Sequence, residues 1–131
     1  MKHFILIALI AFSFSAQAQY KFVPLHEVKS HEGDSVSTVG KVFSTKYLSA
    51  AKNSPTLLNI GGDHPNQLLT VVIYGNDRKN FESLSLPVEE YYKGKMLKIN
   101  GKVELYQGKP QIVVRDYTAF EEITIVEIKA N

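Results

Sequence analysis

Seven side chains in this sequence combine flat aromatic faces with positive charge: Lys46, Tyr47 and Lys52 in one neighbourhood, Tyr74, Tyr106 with Lys109, and Arg115. A phenol ring stacks on another planar ring, and lysine or arginine pairs with anionic oxygen. Together they suit a ligand in which rings alternate with negative charges. Bond-making chemistry has much weaker support. The chain carries no Gly-x-Ser-x-Gly elbow, no His-Glu-x-x-His and no phosphate loop. Glu89–Glu90 and Glu121–Glu122 are sequence neighbours whose side chains diverge, which predicts solvated faces rather than acid–base couples. Asp63 and His64 are adjacent too, and His26 and His31 are far along the chain, so they do not make a converging set of metal ligands. Pro65-Asn66 reads as a turn. No catalytic residue, metal or cofactor is expected.

The N-terminus bounds where the chain works. Met1-Lys2-His3, an apolar run from Phe4 to Phe14, and Ala16-Gln17-Ala18 have the three-part layout of a secretory signal. The run is shorter than the roughly 20 apolar residues of a spanning helix. Cleavage after Ala18 predicts an exported chain, periplasmic or secreted, with no stable membrane anchor; a retained N-terminal anchor is the alternative. The absence of cysteine excludes disulfides, lipoprotein processing and Cys-type metal staples. Fifteen basic and 13 acidic residues become 14 against 13 once Lys2 leaves with the signal. So small an excess does not announce a polyanion partner, and local placement of charge has to make that case.

Residues 19–131 read as one domain, of the usual size for a single core. A lead-in, Tyr20 to Ser30, is an extended arm or a short helix. Strands rich in β-branched residues follow, separated by Gly, Pro and Asn turns. They are expected at Ser35–Leu48, Thr56–Ile60, Gln67–Tyr74, Lys95–Tyr106 and Pro110–Asp116, with an extra edge strand at Ile123–Ile128. One short helix is expected within Asp77–Tyr92, capped by Asn76 or Asp77 and ended by Pro87. Three strands, a helix and two strands give an all-β fold, the five-stranded OB-fold Greek-key barrel, with its core over about residues 33–116. An internal echo supports it. Gly33-x-x-Val36-x-x-x-Gly40-Lys41-Val42 has the spacing of Gly94-x-x-Leu97-x-x-x-Gly101-Lys102-Val103, and a glycine inside a strand marks a bend. Alternation puts Leu69, Val71 and Ile73 in the core and Leu68, Thr70, Val72 and Tyr74 on the opposite face.

Two stretches resemble a bacterial class of OB-fold domains. One is Thr56-Leu57-Leu58-Asn59-Ile60-Gly61-Gly62 with Pro65-Asn66-Gln67 and Leu69-Thr70-Val71-Val72-Ile73. The other is Tyr92-x-Gly94-Lys95 with Gly101-Lys102-Val103-x-x-Tyr106-x-Gly108-Lys109-Pro110-x-Ile112-Val113-Val114. These look like the nucleic-acid-binding domains that accompany secreted or surface nucleases and also occur alone behind a signal peptide. The resemblance spans roughly Gly33 to Asp116 and implies a binding module rather than an enzyme, since there is no room for a separate catalytic segment.

In such barrels the ligand crosses the second and third strands, flanked by the loops joining strands one to two and four to five. The expected ligand is single-stranded DNA or RNA, with Tyr47, Tyr74 and Tyr106 stacking on bases and Lys46, Lys52, Lys109 and Arg115 tracking phosphates. A protein or peptide adaptor of the envelope and a small-molecule or glycan binder are the alternatives on the same face.

Overall fold

A computed structural model describes residues 19–124. The expected signal, residues 1–18, and the Ile125–Ile128 part of the expected last strand lie outside them. The strands are β1 Lys21–Phe22, β2 Ser35–Tyr47, β3 Thr56–Ile60, β4 Leu69–Ile73, β5 Met96–Tyr106, β6 Lys109–Val113 and β7 Phe120–Glu122. The five longer strands pair in a cycle: β2 with β3, β3 with β4, β4 in parallel with β6, β6 with β5, and β5 back to β2. This is an OB-fold-like barrel. It is not the plain five-stranded one expected, because β1 and β7 extend it to a seven-stranded sheet.

Closure rests on β2, which serves two partners in turn. Ser35 to Lys41 pair with β5, while Val42 to Tyr47 pair with β3, and the register shifts between Val42 and Ser44. Such a bulge bends a strand and sharpens its twist, as a small barrel requires. The sequence echo has a structural counterpart. Gly33 and Gly94 both sit at positive φ, +85° and +82°. Gly33 N–H donates to the Val103 carbonyl as Gly94 N–H does to that of Val42, and Val103 N–H reaches Asp34 as Val42 N–H reaches Lys95. The β2–β5 pair therefore has a local two-fold symmetry. Gly40 and Gly101, its equivalent interior glycines, let neighbouring strands close in. A Cβ on Gly101 would lie 2.2 Å from Ile112 Cγ2, and one on Gly40 would lie 2.4 Å from Ile60 Cγ2.

Alternation places the core as expected: Leu69, Val71 and Ile73 are fully buried, with Leu58, Ile60, Leu97, Ile99 and Ile112 around them. The outward set is uneven, since Leu68 is exposed and Val72 is buried. The lead-in proves to be both arm and helix. β1 pairs with β2, and Leu25–His31 is a 3-10 helix whose Val28 enters the core.

Three expectations need correction. The single helix of Asp77–Tyr92 is two pieces, a 3-10 helix at Gly75–Phe81 and a one-turn α1 at Val88–Tyr91. Neither Asn76 nor Asp77 is the cap; Tyr74 holds that position without a side-chain bond. Pro87 starts α1 instead of ending a helix, because its missing N–H costs nothing at a helix entrance. β7, Phe120–Glu122, runs antiparallel to β5 just ahead of the expected Ile123–Ile128 strand, most of which lies outside the described residues. Aromatic packing holds β7 in place. Phe120 lies against Tyr92 and Phe81, with ring centres 4.8 and 6.3 Å apart, while Lys95 Nζ meets Glu122 at 2.7 Å. Burial in that cluster pushes the Tyr92 hydroxyl up to about 12.

Replacing Gly101 by alanine should force Ile112 out of its seat and cost about 1–3 kcal/mol in urea unfolding, the usual penalty for overpacking. An unchanged midpoint would show that β5 and β6 do not approach as closely as described.

Candidate functional site

The outer surface of β3 and β4 is built in rows by the register. Ser44 faces Asn59, Asn59 faces Thr70, Thr70 faces Gln111, and Gln111 faces Glu104. Facing residues share a side of the sheet, and the residues alternating with these in β3, β4 and β6, such as Leu58, Val71 and Ile112, are wholly buried. One polar row thus crosses all five barrel strands. A second row lies beside it: Lys46, Leu57, Val72 and Val113. On the row's other side come Phe43, Leu68, Lys109 and Tyr106. Phe43, Leu68 and Tyr106 are 47%, 43% and 61% exposed, too much for core packing.

Hydrogen bonds stiffen the polar row. The Ser44 hydroxyl donates to Asp63 at 2.6 Å and accepts from Asn59 Nδ2 at 2.9 Å. Gln67 Nε2 reaches the Thr70 hydroxyl at 3.1 Å. The hydrogen bond from Ser44, followed by that from His64 N–H and the nearby charges of His64 and Lys93, holds the Asp63 carboxyl below the usual carboxylate range. Asp63 therefore anchors the β3–β4 turn, and among the described residues no cluster of three metal-ligating side chains occurs.

The sequence-derived candidates are divided by this geometry. Lys46, Tyr106 and Lys109 lie on the outer face, and Lys52 lies in the loop between β2 and β3. Tyr74 follows β4, half-buried, beside the point where Gly75 N–H binds the Asn53 carbonyl of that loop. Tyr47 does not join Lys46. Its register partner is the buried Thr56, on the inward side, and although Tyr47 is 39% exposed, the Arg78 guanidinium covers one face of its ring at 3.6 Å. Arg78 also donates to the Thr56 hydroxyl at 2.6 Å and meets Glu89 at 2.9 Å, so Glu89 is a half-buried ion-pair member and not a solvated residue. Arg115 lies away from the β3–β4 face, in a groove beside β5.

Phe43 escaped the sequence reading. Unbroken alternation along β2 groups it with Tyr47, whereas the bulge sends Phe43 and Lys46 outward and Tyr47 inward. Lys41, 5.2 Å above the Phe43 ring, is the local signal that could have marked it.

No family model matches the chain, and no curated protein is similar to it. Solved structures are. A structure of yeast Stn1 and Ten1 has a TM-score of 0.55 at 10% identity, over 82% of this chain and 64% of that one. A putative aspartyl-tRNA synthetase from Leishmania major gives 0.49 at 9% identity, over 88% and 23%. The aspartyl tRNA synthetase from Entamoeba histolytica gives 0.49 at 11%, over 85% and 23%. This chain spans less than two thirds of each. At such identities the yeast likeness concerns the barrel's architecture alone.

Removing the guanidinium in Arg78→Ala leaves Glu89 and Thr56 without their partner. It should lower stability by about 1–3 kcal/mol in denaturant melts, the range for a lost charged hydrogen bond. A loss below half a kcal/mol, on the order of a surface change, would mean the cluster is a solvated pair.

Proposed function

We propose that this barrel binds single-stranded nucleic acid across the outer face of β3 and β4, as an exported binding module without catalysis of its own. The observation that carries the reading is the exposure of Phe43, Leu68 and Tyr106 on one face together with Lys41, Lys46 and Lys109. Bases stack on such rings and apolar side chains, and phosphates pair with the cations between them. The polar row beside them offers donors and acceptors to base edges through Thr70 and Gln111, while Asn59, buried, braces Ser44. The face is locally basic although the chain is nearly neutral: Lys41, Lys46, Lys93 and Lys109 outnumber Asp63 and Glu104. The resemblance to domains found beside secreted nucleases supports the same ligand class, and the Met1–Ala18 pattern supports action in the periplasm or outside the cell.

Fluorescence anisotropy with a labelled single strand tests this. Micromolar or tighter binding that weakens as salt rises is expected. Phe43→Ala and Tyr106→Ala should each weaken it about tenfold, since stacking contributes about 1–3 kcal/mol per base. Tyr47→Ala should change affinity little, because one face of that ring is already taken by Arg78 and its register side is not that of Lys46. Absence of binding, or binding indifferent to Phe43 and Tyr106, contradicts the proposal.

A further inference from the structure

The row that begins at Lys46 does not stop at Val113. Val103 faces Ile112, so the next position along β5 is Lys102, which in turn faces Ser35 on β2. There the sheet surface opens into a groove of about 360 Å³, lined by Val113, Lys102 and Ser35 with Tyr20, Asn100 and Arg115. Val113 belongs both to the outer face and to this groove, so the two surfaces are continuous.

The groove repeats the chemistry of the outer face with different residues. Tyr20 is 43% exposed, and β1, next to it, is pinned to β2. Lys102 and Arg115 are exposed, and among the described residues neither takes part in an ion pair. Asp116 is the carboxylate nearby, and its Oδ1 is already taken by the backbone N–H and hydroxyl of Thr118. Asn100 adds a polar demand: its Oδ1 is buried without a hydrogen-bond partner. A buried acceptor left unpaired costs about 1–3 kcal/mol, so the groove favours a ligand that brings a donor.

We propose that this groove is a second nucleotide subsite, which holds a phosphate with Lys102 and Arg115, a base against Tyr20, and a base amino group at Asn100. It rests on the reading of the outer face as a single-strand path, and it extends that path from β3 and β4 round to β5 and the N-terminal arm. Cytosine and adenine carry an exocyclic amino group and thymine does not, so the subsite favours oligo(dC) over oligo(dT).

The test uses fluorescein-labelled oligo(dC) of about 5 and about 15 nucleotides, bracketing the usual site size of such barrels. The long strand should bind more tightly than the short one. The paired substitution Lys102→Ala with Arg115→Ala should weaken the long strand about tenfold, lessen its salt dependence, and leave the short strand within about twofold. Both positions are exposed, and unchanged circular dichroism and melting would confirm that the variant is folded. Asn100→Ala, which removes the carbonyl proposed to meet the base amino group, should weaken long oligo(dC) and erase its preference over oligo(dT) of the same length. A long strand unaffected by these changes, or no preference for dC over dT, overturns the second subsite while leaving the outer face standing. Failure of both strands to bind the wild type removes the outer-face reading and this one with it.

Discussion

A flat sheet cannot close on itself, so a small barrel needs a strand that bends from one neighbour to the next. β2 resolves this by changing partner halfway, at the register shift between Val42 and Ser44. Everything on the outer face follows from that shift. Before it, alternation points Val36 and Val42 into the core. After it the phase is displaced, so Phe43, Ser44 and Lys46 face outward while Tyr47 turns inward to Thr56 and Arg78. Remove the bulge and the charges and rings of β2 would be dealt to the wrong sides.

The glycine pairs show how closure is made physically possible. Gly40 and Gly101 stand at equivalent places in the two long strands, each where a buried isoleucine from the next strand leaves no room for a Cβ. Gly33 and Gly94 start those strands in a left-handed turn that most residues avoid. Two glycines per strand are a cost in chain entropy, offset by a core in which Leu58, Ile60, Leu97, Ile99 and Ile112 are wholly buried. The aromatic cluster of Phe81, Tyr92 and Phe120 then ties the helical segments and β7 against the barrel.

Strand order was legible because β-branched runs and glycine turns are local signals, and the limits of the five barrel strands shifted by three residues at most. The glycine echo, which in the sequence speaks only for bent strands, marks equivalent positions of β2 and β5, and their pairing emerged only from the structure. What escaped is non-local. Pro87 carries no mark telling whether it closes one helix or opens another, since that depends on where Val88 finds its burial. β7 went unread because Phe120-Glu121-Glu122 carries little apolar signal of its own, and its position is set by Phe81, Tyr92 and Lys95 from elsewhere in the chain. Among the candidate ligand residues, Lys46, Tyr106 and Lys109 follow from strand ends and a tight hairpin. The facing of Tyr47 and Phe43 depends on a bulge, which no residue type announces, and Arg115 was separated from the rest by the path of the chain after β6.

The central claim is that the face carrying Phe43, the polar row and the Tyr106–Lys109 hairpin is the one that meets a single strand. Two-dimensional amide NMR of the labelled domain, titrated with an unlabelled oligonucleotide, addresses it without any substitution. Shifts concentrated at Phe43, Asn59, Leu68, Thr70, Tyr106 and Lys109, with Tyr47 and the Glu82–Pro87 loop unmoved, are what the account predicts. Shifts confined to that loop and α1, or none at saturating oligonucleotide, would contradict it.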